Sequence, residues 1–190
     1  MSATNRGRER NPRDFYETPE WVTGSLLSAE ALPTPVFDPC CGTGAMLRVL
    51  SRGREASGAD IHPESVNEAR SNTLDVSVVD FLADDFQKKR RGSVVMNPPY
   101  RQAAEFVRAA LRGWESGSKV AALLRLNFLG SSRKRIDLVG PGSCLRAVHV
   151  LSRRPSFTGD GRTDACEYAW FVWEVGYTGS ASLRVLDASP

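Results

Sequence analysis

Histidine is nearly absent from this chain, with two copies in 190 residues, and the four cysteines (Cys40, Cys41, Cys144 and Cys166) form no CxxC pair. That combination argues against a zinc site, and no metal is expected. The adjacent Cys40 and Cys41 fit a reducing compartment better than a disulfide framework. No apolar run approaches the length that crosses a bilayer, and the amino terminus is polar rather than signal-like. A cytoplasmic protein with no membrane partner is the expectation. Charge of one sign is in small excess: 25 Lys and Arg against 22 Asp and Glu give +3. That permits a nucleic-acid partner without demanding one. No internal repeat, low-complexity block or linker divides the chain. Residues 14–190 therefore read as a single domain, expected to be monomeric, behind a mobile basic tail over residues 1–13.

What the chain does hold is Asn97-Pro98-Pro99-Tyr100. Before it runs the apolar stretch Ser93-Val94-Val95-Met96, bounded on its other side by Lys88-Lys89-Arg90-Arg91 and Gly92. Such a run reads as a buried strand. The proline pair ends it, because proline donates nothing to a ladder and restricts the residue before it. Asn97 is expected just past the carboxyl end of a central strand, where open α/β sheets bind ligands. From there the Asn97 carboxamide and the Pro98 carbonyl aim two acceptors at one planar NH2 group. Tyr100 offers an aromatic face to whatever carries that amine.

The other elements follow in order. Thr18 reads as the cap of a helix with Pro19 at its first position. Phe15 and Tyr16 precede it as candidates to line a pocket. Val36-Phe37-Asp38 is a strand leading into Pro39-Cys40-Cys41-Gly42-Thr43-Gly44, and a helical pattern follows. Strand, glycine turn and helix open a doubly wound nucleotide fold. The turn lacks both the third glycine of a dinucleotide fingerprint and the GKS or GKT of a Walker loop, so neither NAD nor a triphosphate is indicated. Further strands are expected over Glu55 to Asp60, Leu74 to Val79, Lys119 to Leu126, Arg146 to Leu151 and Tyr168 to Val175, with helices over 64–72 and 102–115. The sixth and seventh strands read as a hairpin, and 177–190 as a stretch that adds an edge strand and then frays.

Several residues carry two readings. Asp60 is either a turn aspartate before Ile61-His62-Pro63 or an acceptor for two ribose hydroxyls, and its spacing after the glycine turn favours the second. Asp80-Phe81 is either a capping acid with a core ring or a pair that reads and sandwiches an adenine. Arg133-Lys134-Arg135 and Arg153-Arg154 are either solvated surface or phosphate contacts.

In this order the motifs resemble the amino-directed, S-adenosylmethionine-dependent DNA methyltransferases, in particular the adenine-N6 group. Glu17-Thr18-Pro19 looks like their amino-terminal cofactor motif. Asp38-Pro39-Cys40-Cys41-Gly42-Thr43-Gly44 looks like their glycine-rich motif, and Asn97-Pro98-Pro99-Tyr100 like their catalytic motif. Minimal phage and prophage enzymes are similar through Arg154-Pro155-Ser156-Phe157-Thr158-Gly159. The resemblance spans residues 14–175. It implies an α/β class I methyltransferase (Rossmann-like) fold: a mostly parallel seven-stranded sheet, its last strand antiparallel, with helices on both faces. No separate target-recognition domain is expected. The resemblance also implies that S-adenosylmethionine is held by Tyr16, Glu17, Thr18, Asp38, Cys40, Gly42, Gly44, Asp60, Ile61, Asp80, Phe81 and Asn97. Asn97, Pro98 and Tyr100 would carry the chemistry. Pro99, Tyr100, Phe157, Arg133, Lys134, Arg135, Arg153 and Arg154 would hold the nucleic acid. DNA is the expected substrate; RNA adenine, a protein glutamine amide and the N4 amine of cytosine present a similar NH2 group and remain alternatives.

Overall fold

The computed structural model describes residues 17–83, 90–130, 132–157, 163 and 165–187. The elements are α1 (Glu20–Ala29), β1 (Val36–Asp38), α2 (Ala45–Leu50), β2 (Ala56–Asp60), α3 (Pro63–Ser71), β3 (Val76–Val78), β4 (Ser93–Met96), α4 (Ala103–Gly113), β5 (Lys119–Arg125), α5 (Ile136–Val139), β6 (Leu145–Leu151), β7 (Tyr168–Glu174) and β8 (Ser182–Leu186). Short 3-10 turns cover Phe81–Ala83, Leu126–Leu129 and Arg133–Arg135.

Eight strands form one sheet in the order β3-β2-β1-β4-β5-β7-β6-β8. β7 runs antiparallel to both β5 and β6, while the remaining pairs are parallel. The central strands are continuous apolar runs because helices cover both faces. Alternation along β7 sends Tyr168, Trp170 and Val172 to the face covered by α1, α2 and α3, and Ala169, Phe171 and Trp173 to the face covered by α4 and α5. Both indoles find acceptors in the helical layers: Trp170 Nε1 donates to Val22 O at 3.0 Å and Trp173 Nε1 to Leu138 O at 2.8 Å.

Two expectations need correction. The sheet has eight strands rather than seven, and the antiparallel strand is the seventh rather than the last. Ser182–Leu186 supplies the ladder partners that the outer edge of β6 would otherwise lack, pairing parallel from Ala147↔Ser182 to Leu151↔Leu186. Thr18 is not a helix cap either: Pro19 occupies the cap position of α1, and no side chain caps that helix. The Thr18 hydroxyl is engaged elsewhere, as the site shows.

Candidate active site

The strand order reverses between β1 and β4, which lie side by side and parallel. The segments after them therefore emerge at one sheet edge, the usual place for a ligand in an open α/β sheet. A cavity of about 810 Å3 opens there, lined by the glycine turn, the ends of β2 and β3, and Asn97 through Gln102. That volume suits a small-molecule site.

Asp60 fixes the glycine turn. Its Oδ2 accepts from Gly42 N at 2.8 Å and its Oδ1 from His62 N at 2.9 Å. Each carboxylate oxygen keeps a second lone pair, so Asp60 retains acceptor capacity toward the cavity it lines. The turn's two glycines serve different ends. Gly42 lines the cavity at φ +53°. Gly44 does not line it; its φ of +86° is a left-handed backbone that disfavours any side chain, and a Cβ there would also push on Leu74 Cδ1.

Asp38 is wholly buried and lies outside the cavity lining. Its Oδ1 accepts from Cys40 N at 3.1 Å, while Oδ2 has no partner among the described residues. Burial pushes its carboxyl up to about 8, with the Asp60 charge adding to the effect and the Cys40 bond opposing it. Asp38 thus braces the turn as an acid whose neutral form is favoured by burial. Desolvation, followed by the Asp38 and Asp60 charges, also pushes the Cys40 and Cys41 thiols up. A nucleophilic cysteine needs the opposite.

One wall of the cavity is apolar. Ile61 is 55% exposed, beside Val79 and Asp80 from the end of β3. Phe81 also lines the cavity, yet it is 3% exposed and stacked on Phe106 at 5.6 Å. Asp80 Oδ1 accepts from Leu82 N at 3.0 Å, closing the 3-10 turn. The capping acid and core ring are therefore present, and the same two residues border the cavity.

The opposite wall holds the turn after β4. Asn97 Nδ2 donates to Thr18 Oγ1 at 3.1 Å. Thr43 Oγ1 donates to Glu17 Oε1 at 2.7 Å. Residues 17 and 18 thus strap the glycine turn to the Asn97 turn. Tyr100 packs against Tyr168 with ring centroids 6.0 Å apart. The Arg125 guanidinium lies 5.0 Å from the Tyr100 centroid, and its Nε donates to the Tyr168 hydroxyl at 3.4 Å. Arg125 lines the cavity, as does Thr43; neither is among the residues the sequence singles out. The available signal for Arg125 is a charge closing the apolar run Val120–Leu124.

Other expected site residues lie farther out. Phe157 stands edge-on to Tyr168 at 5.1 Å, one ring removed from Tyr100. Arg153 covers the Trp21 ring at 4.2 Å, and Arg154 Nε donates to both Glu167 carboxylate oxygens at 3.0 and 3.1 Å. Arg135 covers the Phe128 ring at 4.7 Å and donates to the Gly130 carbonyl. Arg133 and Lys134 are exposed. None of these six lines the cavity. Tyr16, Phe15, the basic tail 1–13, Lys88, Lys89 and residues 158–162 lie outside the described residues. Among the described residues no three His, Cys, Asp or Glu side chains gather to hold a metal ion, and no helix is long and apolar enough to cross a membrane.

The sheet order, the single reversed strand and the glycine turn held by the acid ending β2 define the class I S-adenosylmethionine-dependent methyltransferase fold. The chain belongs to the uncharacterised methyltransferase family DUF6094, whose model matches residues 14–112. Its fold is similar to that of a putative class I S-adenosylmethionine-dependent methyltransferase from Listeria monocytogenes, with TM-score 0.71 and 14% identity over 97% of this chain and 69% of that one. It is also similar to the modification subunit of a putative type I restriction enzyme from Vibrio vulnificus YJ016, with TM-score 0.65 and 15% identity over 90% of this chain and 46% of that one. A sequence relative, the 23S rRNA (uracil(747)-C(5))-methyltransferase of Pyrococcus abyssi (strain GE5 / Orsay), is 29% identical over 104 residues, 50% of this chain. The chain spans only 25% of that protein's length.

Proposed function

We propose that the protein transfers a methyl group from S-adenosylmethionine to the exocyclic N6 amine of adenine in DNA. The observation that carries this reading is the placement of Asn97: its carboxamide and the glycine turn border one cavity, with the Tyr100 ring beside it. The cavity suits the cofactor in two respects. Asp60 has lone pairs to spare for ribose hydroxyls, and Ile61, Val79 and Phe81 offer an apolar slot to a purine, with Asp80 as an acceptor for its amino group. The bound cofactor supplies an electrophilic methyl on a sulfonium, which leaves readily.

The chain's own residues do the rest. An adenine amine is a poor nucleophile because its lone pair is delocalised into the ring. Acceptors held at its hydrogens favour pyramidal nitrogen and stabilise the positive charge that develops there. Asn97 Oδ1 and the Pro98 carbonyl fill that role. Tyr100 stacks on the base, which must leave the duplex to reach them. Alignment of amine and methyl lowers the barrier further. No thiolate takes part. Residues 14–190 act as one methyltransferase domain.

RNA is the second reading, favoured by the rRNA methyltransferase among the relatives. Methyl transfer from radiolabelled cofactor to DNA, RNA and protein, run in parallel, separates the two. Label in DNA is the expected outcome; label confined to RNA or protein overturns the DNA assignment.

A further inference from the structure

We infer that Thr18 is a positioning residue that fixes which end of the Asn97 carboxamide faces the target amine. This rests on the role proposed for Asn97 and deepens it.

A carboxamide has a donor end and an acceptor end of nearly equal size. Rotated by half a turn, Asn97 would present NH2 to the hydrogens of an amine, and donor would face donor. Among the described residues, one side chain bonds this carboxamide: Thr18, whose Oγ1 accepts from Nδ2 at 3.1 Å. A hydroxyl can donate as well as accept; in the arrangement found it accepts from Nδ2, which leaves Oδ1 to accept from substrate.

Thr18 is well held for that task. It is 5% exposed, and a β-branched side chain has restricted χ1 freedom. Its chain neighbours are anchored on both sides. Glu17 accepts from Thr43 Oγ1 at 2.7 Å and lies 3.8 Å from the Arg48 guanidinium. Pro19 O accepts from Val22 N at 3.0 Å, tying the next residue to α1, whose Val22 and Leu26 are wholly buried. The bond therefore joins two turns 79 residues apart in sequence. The cap position of α1 falls to Pro19, whose side chain has no polar atom, and the Thr18 hydroxyl one residue earlier is left to the Asn97 turn.

The test is a double-mutant cycle on methyl transfer, with Thr18→Val, Asn97→Ala and both together. Thr18→Val keeps the shape and removes the hydroxyl. At saturating DNA and cofactor its kcat should fall on the order of 10-fold, in line with loss of part of a preorganised acceptor. Thr18→Ser should recover most of the lost rate. In the Asn97→Ala background, Thr18→Val should have no further effect. A normal kcat in Thr18→Val, or an equal loss in both backgrounds, overturns the inference while leaving the methyltransferase reading intact.

A second readout needs no turnover. The Asn97 side-chain amide hydrogens, followed by nuclear magnetic resonance, should exchange slowly in the wild type and in Thr18→Ser, and quickly in Thr18→Val. Unchanged exchange in Thr18→Val overturns the positioning bond even if wild-type protein methylates no substrate offered; that separate failure would remove the proposed function instead.

Discussion

Asp60 and Gly42 stand 18 residues apart and are joined by a 2.8 Å hydrogen bond from the Gly42 N–H to the Asp60 carboxylate. The acid ending β2 thereby shapes the turn that follows β1, and the proposed function gives the same side chain the cofactor's ribose to hold. Asp60→Ala removes the acceptor of two backbone donors. Affinity for S-adenosylhomocysteine should weaken by about 1.5–3 kcal/mol, the range for charge-assisted bonds, with a parallel loss of stability. Calorimetry paired with urea unfolding checks both; unchanged affinity takes Asp60 out of the cofactor site.

Asp38 gives the fold a pH signature. Its carboxyl is raised by burial from an ordinary 3.8 to about 8. Between those values the folded state binds a proton that the unfolded chain has released, so Asp38's contribution to stability falls as pH rises. One such group contributes a slope of at most about 1.4 kcal/mol per pH unit. Asp38→Asn carries the shape of the neutral acid and should flatten this decline. Denaturation midpoints measured from about pH 5 to about pH 8 read the slope, and an identical slope in Asp38→Asn contradicts the assignment.

At the opposite edge of the sheet lies a buried charge cluster. Glu30 accepts from Lys119 Nζ at 2.6 Å, from Arg146 Nη1 at 3.2 and 3.3 Å, and faces His149 Nε2 at 2.9 Å. Burial alone would raise the Glu30 carboxyl, but the Lys119 and His149 bonds and the charges around it outweigh that and hold it below its ordinary 4.5. Its share of stability is therefore lost as pH falls through the folded value, opposite in sign to Asp38. Glu30→Ala leaves Lys119 largely buried without its carboxylate, which should cost about 3–5 kcal/mol. Cofactor affinity of the folded fraction should not change, because Lys119 begins β5 while the cavity lies beyond the strand's other end. A loss below about 1 kcal/mol in urea unfolding is what an exposed pair would give and would count against a structural cluster.

Strands β4, β5 and β7 were legible because burial on both faces makes them continuous apolar runs. The edge strand β8 was legible only as an option, since Leu183 and Val185 are exposed and no burial pattern reveals its partner or direction. The Asn97 turn and the glycine turn could be read from local chemistry. Thr18 could not, because a hydroxyl before a helix reads as a cap until its partner 79 residues away is known. The basic clusters show the same limit: nothing in Arg153-Arg154 or Arg133-Lys134-Arg135 tells that Trp21, Glu167 and Phe128 take up three of the five guanidinium and ammonium groups.

Those partners divide the clusters experimentally. If DNA is bound, replacing exposed Arg133 and Lys134 by Gln should weaken binding and lower the logarithmic salt slope by roughly 0.7–0.9 per charge in contact with phosphate. Arg135→Gln should act mainly on stability, while Arg154→Gln, whose pair with Glu167 is exposed, should change stability little. Fluorescence anisotropy titrations at several salt concentrations measure the slopes, and equal slopes for wild type and the Arg133/Lys134 variant return that pair to plain solvated surface.

Asn97 is the residue on which the account turns. The most direct measurement incubates wild type and Asn97→Ala with radiolabelled S-adenosylmethionine and DNA, digests the DNA to nucleosides and identifies the labelled one by mass spectrometry. The expected product of the wild type is N6-methyladenine. The expected rate is lower by on the order of 100-fold or more for Asn97→Ala, with cofactor affinity nearly unchanged, as when one preorganised acceptor is removed. N4-methylcytosine, label absent from DNA, or full activity in Asn97→Ala would contradict the account.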